Sequence, residues 1–267
     1  MSLYRTLVIF TFPMVYSFYT RYKGMTGVFA WLIKYLIPCL GVSLCFEGFS
    51  ALNFLLGMVY VYEFYELGYI QNDCETIKKE ELPTLRLNEE ELQAYEKNKY
   101  LIFTIRIIEI LVLIYIMYRV RISVSLLLVY ATTMLVFYFY NNIRNGFCLV
   151  VHLVLMMMRY SAPILISLNR YELLPTLLIL FIYPVTLFIE RSVKGKFGYK
   201  NLLFSKLFMS SYKERYKFRI KYYVAILIIA VLATFFTDLS NICVIPIVIL
   251  LVSSIMTYKN KRLQYNK

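Results

Sequence analysis

Long apolar runs separated by short polar turns dominate the pattern along this chain. Eight runs are long enough to cross about 30 Å of hydrocarbon, and they lie near 25–46, 51–71, 98–118, 122–140, 146–168, 172–190, 221–237 and 241–257. These runs are continuous and do not alternate in short pieces, as the strands of a membrane barrel would. The pattern predicts an all-α integral membrane protein, folded as one domain over residues 1–267.

The first 20 residues, MSLYRTLVIFTFPMVYSFYT, form an aromatic segment of their own. No small-residue cleavage site follows them, so they do not fit a secretory signal peptide. We expect residues 1–24 to contain a retained interfacial or re-entrant helix. The alternative is a further span, so the bundle is predicted to have eight or nine transmembrane helices.

Composition and charge support a membrane protein and argue against nucleic acid as a partner. Hydrophobic residues make up 60% of the chain, against about 45–50% in soluble domains. Lys and Arg number 29 against 16 Asp and Glu, which gives a net charge of +13. In a membrane protein such an excess is typical of cytoplasmic flanks that contact anionic lipid. The predicted partners therefore include membrane lipids and no nucleic acid.

The positions of the basic residues predict an orientation. With eight spans and the N-terminus inside, 23 of the 29 Lys and Arg residues fall on one side. The opposite side keeps Arg119, Arg121 and Arg170. The two long polar segments, 72–97 and 191–220, would then face the cytoplasm as cap loops. We expect the protein to be integral to a membrane, the bacterial cytoplasmic (inner) membrane.

Several charged residues lie within the predicted spans, where each costs several kcal/mol unless it is paired or faces a wet cavity. Arg106 and Glu109 are three positions apart on one helix, and this spacing predicts that they neutralise each other. Glu63 and Glu66 have no basic residue on their own helix. For them we expect partners on neighbouring helices, such as Lys34 or Arg159.

The five cysteines show no CxxC spacing, and most of them lie in apolar runs. Cysteine in such runs behaves as a small hydrophobic residue. We therefore expect neither a disulfide framework nor a structural zinc site. The single histidine, His152, is expected to be a packed helix residue.

The stretch NDCETIKKE at 72–80 carries the main candidate chemistry. If the helix ending near Ile70 continues, about 100° per residue places four oxygen-bearing side chains in one arc. They are Asn72, Asp73, Thr76 and Glu80. Such oxygens suit Mg²⁺, which completes its shell with phosphate oxygens and water. The alternative is a solvated loop of mixed charge at the membrane surface.

Basic residues follow this stretch closely, at Lys78, Lys79 and Arg86. Lysine and arginine side chains neutralise phosphate groups, and arginine does so with two parallel hydrogen bonds. The combination predicts a metal and phosphate site at the cytoplasmic end of the second span.

NDCETIKKE resembles the first acidic motif of the UbiA superfamily of membrane prenyltransferases, NDxxDxxxD. Asn72 and Asp73 match it, while Thr76 and Glu80 stand where Asp is usual. The following LPTLRL (82–87) is similar to the sequence after that motif in the branch that transfers phosphoribose to polyprenyl phosphate.

The likeness extends along residues 25–220. YNNIRNGFCLVVHLVLMMMRYSAP (140–163) resembles the family's Tyr-rich turn with a basic residue and the following span with an Arg, and the matching positions are Tyr140, Arg144 and Arg159. FIERSVKGKFGYKNLLF (188–204) lies where the second acidic motif belongs, but its only acidic residue is Glu190.

The resemblance implies a helical bundle around a cavity open to lipid, with a cytoplasmic cap. It implies Mg²⁺ held by Asn72, Asp73 and Glu80. The catalytic residues it implies are Asp73, Glu80, Arg144 and Arg159. Phosphate would be bound by Lys79, Arg86, Lys194 and Lys196.

The function implied is a transferase acting on a polyprenyl phosphate or diphosphate lipid, with Mg²⁺ assisting the departure of a diphosphate. In one version a prenyl chain passes to a small acceptor. In the other, a polyprenyl phosphate attacks a phosphorylated sugar diphosphate. The co-substrate would be a phosphorylated or aromatic small molecule. The alternatives are a catalytically inactive UbiA-like protein and a lipid-linked transporter.

Overall fold

The structure is a computed structural model that describes residues 2–79, 84–143, 145–195, 202–236 and 241–265. These residues form helices and connecting turns, with no β-strand among them. The helices are α1 (Leu3–Thr11), α2 (Val15–Thr20), α3 (Gly24–Ser43), α4 (Ala51–Ile70), α5 (Glu89–Arg119), α6 (Val124–Asn142), α7 (Phe147–Leu168), α8 (Leu173–Ile182), α9 (Pro184–Lys194), α10 (Leu202–Leu207), α11 (Arg215–Phe236) and α12 (Val244–Tyr265). The predicted all-α fold is confirmed for the described part of the chain.

Three of these helices start where the sequence supplies a hydrogen-bonding cap. The Ser2 side chain accepts a hydrogen bond from the backbone N–H of Arg5 at the start of α1. The Ser50 side chain accepts a hydrogen bond from the backbone N–H of Asn53 at the start of α4. Asn88 and Glu91 form a reciprocal capping box at the start of α5. Caps of this kind satisfy backbone N–H groups that the first helical turn leaves unpaired.

The centre of the bundle is the contact between α4 and α7. Gly57 lies directly against α7, where a Cβ atom would come 3.0 Å from the Cα of Pro163. Gly68 lies under the Phe137 ring of α6, and a Cβ there would be 2.3 Å from the ring. Glycine at both positions lets the helices approach closely, as is common between membrane helices.

Five helices are long and apolar enough to cross a membrane, and the bent pair α8 and α9 makes a sixth if it is one span. The five are Gly24–Ser43, Glu89–Arg119, Val124–Asn142, Phe147–Leu168 and Tyr212–Phe235. The predicted run at 51–71 forms α4 but is not among them, because its four tyrosines and two glutamates lower its hydropathy. The run at 241–257 gives a shorter apolar helix. A membrane-embedded helical protein is therefore supported, while the count of eight spans stays a prediction.

The N-terminal residues do not form a ninth span. α1 and α2 have nine and six residues, far fewer than the roughly 20 that a span needs. The Glu66 carboxylate holds the turn between them, accepting hydrogen bonds from the backbone N–H of Met14 (3.0 Å) and of Ser17 (2.6 Å). The segment is thus tied to the side of α4.

The predicted Arg106–Glu109 pair is wrong. Arg106 donates to Glu63 and to Glu66, each at 2.7 Å, and its Nε donates to the Phe10 carbonyl at 2.9 Å. The three charged side chains are fully buried. The guanidinium points across to α4, where it meets two buried carboxylates, and not along its own helix.

Three loops meet at one end of the bundle, where α3 ends and α4 begins. Arg170 donates to the Glu47 carbonyl at 3.1 Å. Asn169 bonds the backbone of both Ser123 (2.7 Å) and Arg121 (3.0 Å). α4 has 20 residues, about 30 Å of helix, so the NDCETIKK turn at its other end lies on the far side of the bundle.

Candidate functional site

The chain does not continue as a regular α-helix beyond Ile70. A wider π-helical turn covers Gln71–Glu75, and a tighter 3₁₀ turn covers Thr76–Lys79. The count of 100° per residue therefore fails, and the predicted arc of four oxygen ligands does not form among the described residues. Thr76 instead donates its hydroxyl to the Gln71 carbonyl at 3.3 Å. Glu80 lies outside the described residues.

Asp73 is buried and surrounded by hydrogen-bond donors. Arg21 binds both of its oxygens, with Nη2 2.9 Å from Oδ1. Arg86 Nη1 and the Tyr16 hydroxyl each lie 3.0 Å away, and the Asn72 amide lies at 3.1 Å. Asp73 is therefore the counter-ion of two arginines, which it fixes in place.

Glu75, two positions further on, belongs to a different cluster. It accepts hydrogen bonds from Tyr95 (2.9 Å), from Lys78 (3.0 Å) and from Lys99. Partial burial acts to raise the pKa of Glu75, but the bonds from Lys99, Lys78 and Tyr95 outweigh it and lower that pKa to about 2. This cluster ties the turn after α4 to α5.

A cavity of about 930 Å³ lies beside the turn after α4. Its basic lining residues are Arg21, Lys34, Lys79, Arg86, Arg159 and Arg191. None of its described lining residues is Asp or Glu. Asp73 is hydrogen-bonded to the lining residues Arg21 and Arg86 and does not itself line the cavity. The walls therefore carry a concentrated positive charge, which favours an anionic ligand.

Nine aromatic side chains also line the cavity. They are Tyr22, Trp31, Tyr35, Tyr65, Tyr69, Phe137, Tyr140, Tyr160 and Tyr183. Tyr160 and Tyr183 stack at 5.4 Å with an interplanar angle of 22°. Such walls offer apolar surface and electron-rich ring faces together.

Arg159 is the most buried cation of the cavity, at 5% exposure. Its terminal nitrogens donate to the hydroxyls of Tyr69 (3.2 Å), Tyr22 (2.8 Å) and Tyr62, and its guanidinium lies 4.8 Å from the ring centre of Tyr35. Its Nε finds no hydrogen-bond partner among the described residues. No described carboxylate pairs with it. A buried guanidinium with a spare donor is costly unless a ligand completes it.

Tyr69 contacts both Arg159, the most buried cation of the cavity, and Arg21. Its hydroxyl accepts from Arg159, and the Arg21 guanidinium lies 3.9 Å above its ring centre. Cation–π contacts at this distance are favourable. Arg21 and Arg159 therefore belong to one connected surface.

The structure brings some of the predicted residues together in this cavity. Asn72, Lys79, Arg86 and Arg159 line it. Asp73 stands behind the lining. Lys194 does not line the cavity and lies over the Tyr212 ring at 5.4 Å. Arg144 and Lys196, like Glu80, fall outside the described residues, so their predicted roles stay predictions.

Sequence reasoning missed Arg21, Lys34 and Arg191 as cavity residues. Arg191 is one helical turn before Lys194 on α9, and nothing in the local sequence distinguishes the two. Arg21 lies in the N-terminal segment, outside every motif. Glu190, the remaining acid of the predicted second motif, is paired with Arg219 at 2.8 Å.

The residues described here do not fit the implied Mg²⁺ site. Magnesium takes carboxylate oxygens that are free to coordinate, whereas both Asp73 oxygens are bound by guanidinium groups. No cluster of three or more His, Cys, Asp or Glu residues exists in the described part of the chain. The donor set suits a phosphate anion.

Neither a family model, nor a curated protein, nor a solved structure matches this chain. The resemblance to the UbiA superfamily therefore rests on the short sequence motifs given above and is not tested by these comparisons.

Proposed function

We propose that the protein is a membrane-embedded, UbiA-like transferase that binds the phosphate or diphosphate group of a polyprenyl lipid in this cavity. The observation that carries the proposal is the set of six basic side chains with no carboxylate among the described lining residues. A lipid diphosphate is an anion of matching charge, and its apolar chain suits the setting of apolar helices.

The basic residues have distinct tasks in this proposal. Arg21 and Arg86, held by Asp73, present planar guanidiniums that bind phosphate oxygens in pairs. Lys79 adds a flexible charge. Arg159, which lines the cavity and pairs with no described carboxylate, adds a buried positive charge. Phosphate charge is thereby neutralised by side chains of the protein.

The chemistry is substitution at carbon. The bond between that carbon and the diphosphate oxygen breaks, the diphosphate leaves with the electron pair, and the acceptor forms the new bond. Basic groups that are already in place stabilise the charge on the leaving group. Positive charge that develops on an allylic or anomeric carbon would face ring surfaces such as Tyr65 and Tyr160. Both the prenyl version and the phosphoribosyl version satisfy this scheme.

Orientation follows from the basic residues. The turn after α4 lies at the end rich in Lys and Arg, so we place the outer part of the cavity at the cytoplasmic face. The membrane in question would be the bacterial inner membrane, and a water-soluble co-substrate would enter from the cytoplasm.

One observation favours binding without turnover as a second candidate. Asp73, which the resemblance makes a metal ligand, is instead a counter-ion to two arginines. A UbiA-like protein that lost its metal chemistry would keep the cavity and the lipid affinity. A lipid carrier would behave in the same way.

The test uses the purified full-length protein in lipid nanodiscs with radiolabelled polyprenyl phosphate or diphosphate. Binding is measured first, and lipid products are then separated after addition of phosphorylated or aromatic co-substrates. Arg159→Met and Arg86→Met should each weaken binding, because each removes a charged donor, whereas Lys194→Met, outside the cavity, should not. Equal binding by all three variants would overturn the proposal. Binding with no product from any co-substrate would select the second candidate.

A further inference from the structure

Two cysteines from distant parts of the chain meet at the end of the bundle opposite the cavity turn. Cys45 follows the end of α3, and Cys243 closes the 3₁₀ turn (Asn241–Cys243) before α12. Each thiol is close enough to the other to perturb its electrostatics. Cys45 is partly exposed and Cys243 is buried.

The backbone around the pair is closely packed. Gly41 of α3 lies so near α12 that a Cβ atom there would be 2.4 Å from the ring of Pro246. The Cys45 Sγ is also 3.1 Å from the Gly41 carbonyl oxygen. The contact between the two helices therefore keeps the two sulfurs near each other.

The same end of the bundle carries few basic residues. Glu47, two positions after Cys45, has its carbonyl bound by Arg170, so the pair shares this end with the loops at 119–123 and 169–172. Charge distribution predicts that these loops lie outside the cytoplasm. Compartments outside the cytoplasm are the ones in which disulfides form and persist.

We propose that Cys45 and Cys243 form a disulfide bond, a redox modification site that joins the end of α3 to the start of α12. The proposal rests on the thiol contact and the orientation, and it is independent of the proposed transferase function. The oxidant is a disulfide compound or disulfide oxidoreductase. The partly exposed Cys45 exchanges with it to give a mixed disulfide and one thiol. Cys243 then attacks the Cys45 sulfur and releases the second thiol, so two protein thiols lose two hydrogens and one oxidant disulfide gains them.

The electrostatics of the pair favour the second step, whereas the first step depends on the exposure of Cys45. The neighbouring Cys45 lowers the pKa of the Cys243 thiol, and Cys243 in turn raises the pKa of Cys45. A thiolate is the nucleophile in thiol–disulfide exchange. Cys243 is thus the group suited to complete the bond.

The experiment counts free thiols in the full-length protein. Purified protein is treated with a reductant or with oxidised glutathione, denatured, and labelled with a maleimide polymer that shifts its gel mobility. All five thiols should label after reduction and three after oxidation. Peptide mass spectrometry of the wild-type protein should show one cross-linked pair, Cys45 with Cys243, lighter by two hydrogens. This readout does not depend on how any variant folds.

Variants and cells complete the test. Cys45→Ser should label four thiols in both states. Cys243→Ser should label four after reduction and three after oxidation, because its mixed disulfide at Cys45 has no second thiol to release it. Cys148→Ser, the matched control, should lose two labels on oxidation. Five labels on the oxidised wild type, or a cross-link between other cysteines, would overturn the proposal. A second test blocks the thiols of cells at lysis and examines the pair in their membranes. A reduced Cys45–Cys243 pair would also overturn the proposal, because it would contradict a location on the oxidising, non-cytoplasmic side of the membrane.

Discussion

Asp73→Asn separates the two roles open to this carboxylate. If Asp73 binds Mg²⁺, the substitution removes a metal ligand and the phosphorylated lipid loses its site. If Asp73 is the counter-ion of Arg21 and Arg86, as the hydrogen bonds indicate, the substitution removes the negative charge that competes with the lipid phosphate for these two guanidiniums. We expect polyprenyl phosphate to bind more tightly to Asp73→Asn than to the wild type.

The size of the effect follows from the geometry. Asp73 lies 2.9 Å from Arg21 Nη2 and 3.0 Å from Arg86 Nη1. A phosphate on the cavity side of these groups would lie roughly 8 Å from the carboxylate, where two unit charges repel by about 0.5 kcal/mol at a dielectric constant of 80 and about 2 kcal/mol at 20. Removing that repulsion tightens binding by roughly 2- to 30-fold.

The assay is titration of polyprenyl phosphate into protein in nanodiscs, with and without EDTA. Glu75→Gln is the matched control, because it removes a carboxylate two positions away that does not line the cavity. We expect its affinity to equal that of the wild type. Thermal unfolding of both variants verifies that each is folded, and Asp73→Asn should unfold at a lower temperature because a buried charged network is broken.

A loss of binding in folded Asp73→Asn, reproduced by EDTA in the wild type, would refute this reasoning. It would show that the carboxylate releases its arginines to take a metal when the lipid binds. Wild-type binding that resists EDTA is the result expected here.

Three further predictions concern other charged groups. Arg106→Leu should lower the free energy of unfolding by about 3–5 kcal/mol, because it leaves two buried carboxylates without their counter-ion. The control Arg119→Leu, at an exposed position, should change the melting temperature little. Equal losses of stability in the two variants would contradict the buried network. The pKa of Glu75, lowered to about 2 in the folded protein from about 4.3 in an unfolded chain, contributes stability above pH 4.3 that is lost as pH falls toward 2. Melting curves against pH should show this loss in the wild type and not in Glu75→Gln. Arg191→Met should weaken lipid binding about 10-fold or more, while Lys194→Met, one turn further along α9, should leave it unchanged. A larger loss of binding in Lys194→Met than in Arg191→Met would contradict the assignment of Arg191 to the cavity wall.

The hydrophobic pattern was enough to predict the helical elements. The described part of every apolar run is mainly helical, because a backbone in hydrocarbon must satisfy its own hydrogen bonds; the run at 172–190 is divided between α8 and α9. Asn72, Lys79, Arg86 and Arg159 were also named in advance, and they line the cavity. Residue type and position near a span end were sufficient for Asn72, Lys79 and Arg86, whereas Arg159, inside the predicted span 146–168, was named from the family resemblance.

The partners of the charged groups could not be predicted from the sequence. Spacing favoured Glu109 for Arg106, but the guanidinium binds Glu63 and Glu66 on another helix. Side chains pair across the packed interface, and which helix lies opposite is a property of the whole bundle.

At the cavity, too, the sequence predicted some residues and only the tertiary structure decided their partners. The sequence pattern predicts a regular α-helix beyond Ile70, whereas the turn there is π-helical. The wider turn changes the direction in which the Asp73 side chain points. Arg21 reached the site from the N-terminal segment, which Glu66 anchors through its hydrogen bonds to Met14 and Ser17. The sequence determined that the chain lies in a membrane and carries basic groups near the end of α4. The tertiary structure alone decided which carboxylate neutralises which cation. Buried charges pair with the oppositely charged groups that are nearest in space, and separation along the chain does not give that distance.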